Sequence, residues 1–148
     1  MLRLQLEENG DENLEITLKC HKIVGGYGEG EALVSHDAIC FYLTDPKTGM
    51  IREKDHELEG KSVANKVLVF PSGKASSVVQ IDGLFKLASN RVAPRAMVVK
   101  DVETVLIVSA VIANVPLVDR LEEDPFKAIH MGDFVKVDAD GRKITVIK

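Results

Sequence analysis

Residues 60–62 read Gly-Lys-Ser, the closing letters of a phosphate-binding loop. Such a loop needs a glycine five positions before Gly60 so that backbone N–H groups can wrap the phosphates, and that position is Asp55. Gly73-Lys74 fails in the same way, with Leu68 upstream and Ala75 where a Mg²⁺-binding hydroxyl belongs. Gly26-Tyr27-Gly28-Glu29-Gly30 lacks the G-x-G-x-x-G spacing of a dinucleotide site and leads into strand-like residues. Residues 72–77, Ser-Gly-Lys-Ala-Ser-Ser, follow an apolar run ended by Pro71 and precede a helical pattern. There Lys74, Ser76, Ser77 and unpaired N–H groups could receive a phosphate or carboxylate. The serines could equally do no more than cap the helix. Both readings stay open on these residues alone.

Metal and nucleophile chemistry is poorly supplied. Cys20 and His21 are adjacent, so a strand would point them to opposite faces. His36 and Cys40 share a face only if the segment between them is regular, and they form an incomplete ligand set. Ser35-His36-Asp37 cannot act as a triad, because adjacent residues do not line up as nucleophile, base and orienter. Ser62 taken alone is a loop serine. Its oxygen could accept a proton only in an electropositive site, since an alkoxide is very unfavourable near neutral pH.

The elements that must position these residues follow from periodicity. Residues 2–6 and 14–18 alternate apolar with polar, as strands do, around a polar turn that contains Gly10. Residues 25–30 hold four glycines, which marks turns, bulges or close backbone approach. Residues 31–42 read as strand, break and strand, followed by a turn at residues 45–49. Residues 66–71 form a buried strand stopped by proline. Val78, Ile81, Leu84, Phe85 and Ala88 then recur at helical spacing. A strand in the second half of residues 92–100, an apolar helix over 102–113 and a short strand at Leu117-Val118 complete a βαβα segment with a parallel core. Residues 134–137 and 143–147 flank Asp140-Gly141 as a hairpin. Phe41, Tyr42, Met50 and Ile51 are candidates for an apolar interface patch, or else for satellite core packing.

A chain of 148 residues is expected to form one domain, residues 1–148, of mixed α/β class. A net charge of −4 gives no reason to expect nucleic acid or an anionic membrane as partner. The longest apolar stretch, residues 105–115, is too short to span a bilayer. Acids stand near the N-terminus where a signal peptide needs its apolar run, so a cytoplasmic location is expected. A cysteine-ligated iron–sulfur cluster usually takes three or four thiolates, so with two cysteines any such cluster is expected to be held mainly by another chain.

Taken together and in order, residues 28–35 (Gly-Glu-Gly-Glu-Ala-Leu-Val-Ser), 60–64 (Gly-Lys-Ser-Val-Ala), 67–74 (Val-Leu-Val-Phe-Pro-Ser-Gly-Lys) and 112–119 (Ile-Ala-Asn-Val-Pro-Leu-Val-Asp) resemble the small subunit of the aconitase X family, most of all its archaeal branch. The resemblance implies a swivelling β/β/α domain like the mobile domain of aconitase. It implies a heterodimeric hydro-lyase in which a large subunit carries an iron–sulfur cluster and most of the substrate site. The implied reaction is dehydration of (R)-5-phosphomevalonate, a small anionic phosphorylated substrate, to trans-anhydromevalonate 5-phosphate in isoprenoid synthesis. The family's proton acceptor falls on Ser62. Lys74, Ser76 and Ser77 are then substrate-binding candidates, and Gly28, Gly30, Ser35 and Lys61 a candidate closure loop. The family usually has glycine before its Ser-Thr pair, where this chain has Ala75 before Ser76-Ser77. A hydroxyproline dehydratase subunit, or a non-catalytic ligand-binding or regulatory module, is the alternative.

Overall fold

The computed structural model describes residues 3–8, 12–74 and 78–148. Among these residues nine strands run in chain order as β1 (Arg3–Glu8), β2 (Glu12–Lys19), β3 (His21–Val24), β4 (Tyr27–Val34), β5 (Val67–Phe70), β6 (Ala96–Val99), β7 (Leu117–Asp119), β8 (Phe134–Asp138) and β9 (Lys143–Ile147). The helices are α1 (Val78–Ser89), α2 (Thr104–Ala113) and the single turn α3 (Pro125–Ala128). The strands are ordered β1-β2-β9-β8-β4-β5-β6-β7-β3.

β4 joins two kinds of sheet. Its residues 27–31 pair antiparallel with β8, and residues 32–34 pair parallel with β5. β5, β6 and β7 continue the parallel half, with β3 antiparallel on its edge. The parallel core therefore begins one strand earlier than periodicity suggests. The reason is that β4 and β5 are joined by a long crossover, residues 35–66, that has no α-helix to announce it.

β5 shows how the layers form. Val67 and Val69 face the antiparallel half, in a core shared with Leu18, Val135, Val137, Ile144 and Val146. Leu68 and Phe70 face the helices, beside Leu84, Leu87, Met97 and Leu106. All four residues are buried because both faces of the strand are covered. The result is the expected β/β/α layering.

Two local expectations change. Residues 39–42 are not a strand: Ile39 makes one isolated parallel bridge to Gly73, and Phe41–Leu43 forms a 3-10 turn. The Phe41 N–H donates to Gln80 Oε1 at 2.7 Å, and Thr44 Oγ1 donates to the Phe41 carbonyl, so neither backbone group is free for a ladder. In α1 the buried stripe is Gln80, Gly83, Leu84 and Leu87, while Val78 and Phe85 are exposed. A Cβ on Gly83 would lie 2.6 Å from the Phe41 carbonyl carbon, so this glycine lets the helix pack directly on the 3-10 turn. That contact sets the rotation of α1. The helix α3, capped by Asp124 through the Phe126 N–H, had no periodic signature.

Candidate functional site

The crossover carries most of the candidate chemistry. It leaves the end of β4 at Ser35, which is fully buried and whose N–H donates to the Val69 carbonyl at 2.8 Å. Ser35 Oγ donates to the Asp37 carbonyl and accepts the Asp37 N–H, so its hydroxyl is consumed within its own turn. Ile39 is then tied to the segment after β5 on both sides: its N–H donates to Ser72 O, and its carbonyl accepts from Lys74 N–H. Gln80 closes this clamp, donating from Nε2 to Ile39 O at 3.1 Å while its Oε1 holds Phe41.

Beyond the 3-10 turn the crossover folds into an irregular hairpin in which Met50 pairs with Ser62 and Ile51 N–H donates to Lys61 O. Ser62 is half-buried. Its Oγ donates to Thr48 O at 2.8 Å and accepts the Ala64 N–H at 3.1 Å. A Cβ on the adjacent Gly49 would meet Val92 O at 2.9 Å and Ser62 Oγ at 3.1 Å, which places Ser62 by the starts of β5 and β6. Lys61 is exposed, and only its backbone is engaged.

The tip of the hairpin returns to the ends of the parallel strands. There His56 Nε2 donates to Ala38 O while Nδ1 accepts Leu58 N–H, an arrangement that fits the neutral imidazole. His36 holds Glu57 through its N–H and Nδ1, at 2.6 and 3.0 Å. Lys74 Nζ lies 2.6 Å from Glu53 Oε2, and this hydrogen bond raises the lysine above its ordinary range against a smaller opposing effect of burial.

Ser62 and Lys74 are thus not brought together. One stands by the beginning of β5 and the other beyond its end. Ser76 and Ser77 lie outside the described residues. Gly28 and Gly30 sit inside β4 rather than in a loop, where a Cβ would come within 2.1 Å of Arg95 O and 2.6 Å of Asn65 O respectively. Close backbone approach accounts for both, so the four residues Gly28, Gly30, Ser35 and Lys61 do not form one closure loop. Of the expected interface patch, Phe41 and Ile51 are core residues, and Tyr42 and Met50 remain exposed.

Among the described residues no three His, Cys, Asp or Glu side chains stand together as metal ligands. Cys20 faces the core between the two sheet halves, and its thiol is pushed up to about 11, first by burial and then by Asp119 and Asp138. Cys40 is buried beside the 3-10 turn, apart from Cys20. No described helix is long and apolar enough to cross a membrane.

A model of the aconitase X swivel domain matches residues 17–146. The chain belongs to the aconitase X swivel-domain family. It is 47% identical over 122 residues to the phosphomevalonate dehydratase small subunit of Methanocella arvoryzae, covering 82% of this chain and 92% of that one. The protein of the same name from Methanococcoides burtonii is 43% identical over 125 residues, covering 84% and 90%. The crystal structure of Thermococcus kodakaraensis aconitase X in its holo-form superposes with a TM-score of 0.81 at 37% identity, over 89% of this chain and 98% of that one.

Sequence reasoning missed two polar residues of this swivel domain. Gln80 is a fully buried amide within an apolar helical pattern, and its polarity on the buried stripe was the available signal. Glu53, in a polar stretch without periodicity, gave none. A cavity of about 550 Å³ at the starts of the parallel strands, lined in part by Asn65, Arg91 and Arg95, was also not anticipated.

Proposed function

We propose that this swivel domain is the small subunit of a phosphomevalonate dehydratase, a hydro-lyase whose site is completed by a larger subunit. The observation that carries the reading is the near full-length identity of 43–47% to archaeal proteins of that name. In this reading (R)-5-phosphomevalonate loses water to give trans-anhydromevalonate 5-phosphate, and an iron–sulfur cluster belongs to the large subunit.

Ser62 is the proton acceptor in this proposal. Dehydration of a β-hydroxy acid requires removal of a proton from the carbon beside the carboxylate and departure of the hydroxyl from the next carbon. The Ala64 N–H already donates to Ser62 Oγ and would keep doing so to an alkoxide, which favours the charged form. The bond from Ser62 Oγ to Thr48 O must be given up before that oxygen can take a proton from substrate. One backbone donor is a small part of what an alkoxide needs, so further donors and positive charge come from the large subunit. Departure of the hydroxyl is likewise assigned there. Lys74 meets the anionic end of the substrate.

The test is the complex co-purified with its large subunit. Ser62→Ala is expected to lower kcat by at least about 10²-fold with assembly and iron content intact. It should also abolish deuterium exchange at the carbon beside the carboxylate. Near-normal exchange in that variant removes Ser62 from the base role, and unchanged turnover favours a non-catalytic module. Lys74→Ala is expected to raise KM more than it lowers kcat.

A further inference from the structure

Ser62 Oγ is held from two sides. It donates to the Thr48 carbonyl at 2.8 Å and accepts the Ala64 N–H at 3.1 Å. A serine side chain has a few staggered positions to choose from, and these two bonds select one. The bond from Ala64 is local. Thr48 stands 14 positions away, and its carbonyl is only as well placed as the turn that carries it.

That turn, residues 45–49, is organised by one side chain. Asp45 Oδ1 accepts the Lys47 N–H at 2.8 Å, and Oδ2 accepts from Arg52 Nη2 at 2.7 Å. The Asp45 main chain closes the same loop: its carbonyl accepts the Gly49 N–H, and its N–H donates to the Met50 carbonyl, both at 2.8 Å. The hydrogen bond from the Lys47 N–H, and after it that from Arg52, hold the Asp45 carboxyl below its ordinary 3.8. The turn is also shaped to Ser62. Gly49 has a φ of +75°, and a Cβ there would lie 3.1 Å from Ser62 Oγ and 3.2 Å from the Ala64 nitrogen. The bare side of this glycine leaves Ser62 and its Ala64 donor their room.

We propose that Asp45 is a positioning residue for Ser62: by fixing the turn it fixes the Thr48 carbonyl, and with it the place from which Ser62 Oγ meets the substrate. This deepens the reading above and rests on its assignment of Ser62 as the base. Proton transfer brings the substrate proton to Oγ and leaves its electron pair on carbon, and the new hydroxyl donates again to the same carbonyl. Asp45 itself touches no reacting atom.

The experiment is a double-mutant cycle in the complex co-purified with its large subunit, with (R)-5-phosphomevalonate as substrate. Asp45→Ala is expected to lower kcat by about 10- to 10²-fold, up to the loss for a group misplaced by about 1 Å, with KM nearly unchanged. In a Ser62→Ala background the same substitution should cost nothing further. A full additional loss there, or a loss that falls on KM alone, overturns the proposal. Asp45→Asn keeps an oxygen for the Lys47 N–H and should restore most of kcat. Asp45→Glu keeps the charge for Arg52 but carries its carboxylate past that N–H, and should not. The opposite order would assign the effect to the ion pair and overturn the proposal. Should Asp45→Ala fail to assemble, Asp45→Glu takes its place in the cycle, and native kcat in that variant counts against the proposal. The full-length chain alone gives a reading independent of turnover: Asp45→Ala should shift the Ala64 amide resonance, as Ser62→Ala does, and an unmoved Ala64 amide overturns the proposal. Unchanged turnover in Ser62→Ala would instead sink the base role, while a shifted Ala64 amide would still show Asp45 holding Ser62.

Discussion

β5 and the crossover of residues 35–66 lie side by side over the same apolar core, yet different forces hold them. β5 is buried on both faces and paired on both edges, so its place is fixed by area removed from water and by a regular ladder. The crossover contributes Ile39, Phe41, Ile51, Leu58 and Val63 to that core but has no regular ladder of its own. Scattered backbone bonds are supplemented there by single side chains: Gln80 for Ile39 and Phe41, His56 for Ala38 and Leu58, and Ser62 for Thr48 and Ala64. A region built in this way can present Ser62 at a surface while its apolar residues anchor it. It is also the region that a partner subunit can reshape at least cost, because each clamp is one or two hydrogen bonds.

The largest effect should come from the strand. Leu68→Ala removes a fully buried side chain between sheet and helices and is expected to destabilise the domain by about 2–5 kcal/mol, read by denaturant unfolding. A loss below about 1 kcal/mol would mean that the helix layer is not close-packed on β5. Gln80→Leu keeps volume but strands the Phe41 N–H and takes from the Ile39 carbonyl one of its two donors, leaving the Lys74 N–H. The expected cost is about 1–3 kcal/mol, with faster amide exchange concentrated in residues 38–44. Uniformly faster exchange would show that crossover and strand unfold as one unit, and the contrast between them would fall.

pH separates the two regions more finely. Glu57 is pushed up by burial, but the side-chain and backbone hydrogen bonds from His36 together outweigh this and leave its carboxyl below the ordinary 4.5. A depressed carboxyl stabilises the fold above about its unfolded value, and that contribution is lost as pH falls through the folded value. Acid should therefore loosen the crossover tip first, with signals of residues 36–38 and 56–58 shifting before those of β5, and Glu57→Gln should flatten that response. Cys20 belongs to the inter-sheet core and acts with the opposite sign. Its thiol is raised from 9.0 to about 11, so its contribution is intact below pH 9 and lost as pH rises toward 11. Cys20→Ala should flatten only this alkaline arm, the smallest of these effects. Rapid labelling of Cys20 by a thiol reagent at pH 8 in the native state would contradict its placement.

β1, β2, the second half of β4, β5, β6, β7, the two long helices and the closing hairpin were legible in the sequence, from alternation, from apolar runs bounded by turn residues, from helical recurrence and from Asp140-Gly141 at the turn. β3 and the glycine-rich start of β4 were not, because residues 23–30 read locally as turns. The family was legible as well, from ordered segments that span most of the chain. The tertiary structure alone decided which face of α1 is buried, because Gly83 meets the backbone of Phe41 on a distant segment. It likewise decided that residues 39–42 are not a strand, and that Ser62 and Lys74 stand at different ends of β5. It also paired Glu53 with Lys74 across 21 positions and Gln80 with Phe41 across 39. Periodicity reports how a segment meets an apolar layer, whereas a hydrogen bond or ion pair depends on which remote atom arrives within about 3 Å. That information resides in the packing of segments against one another, and no single stretch of residues contains it.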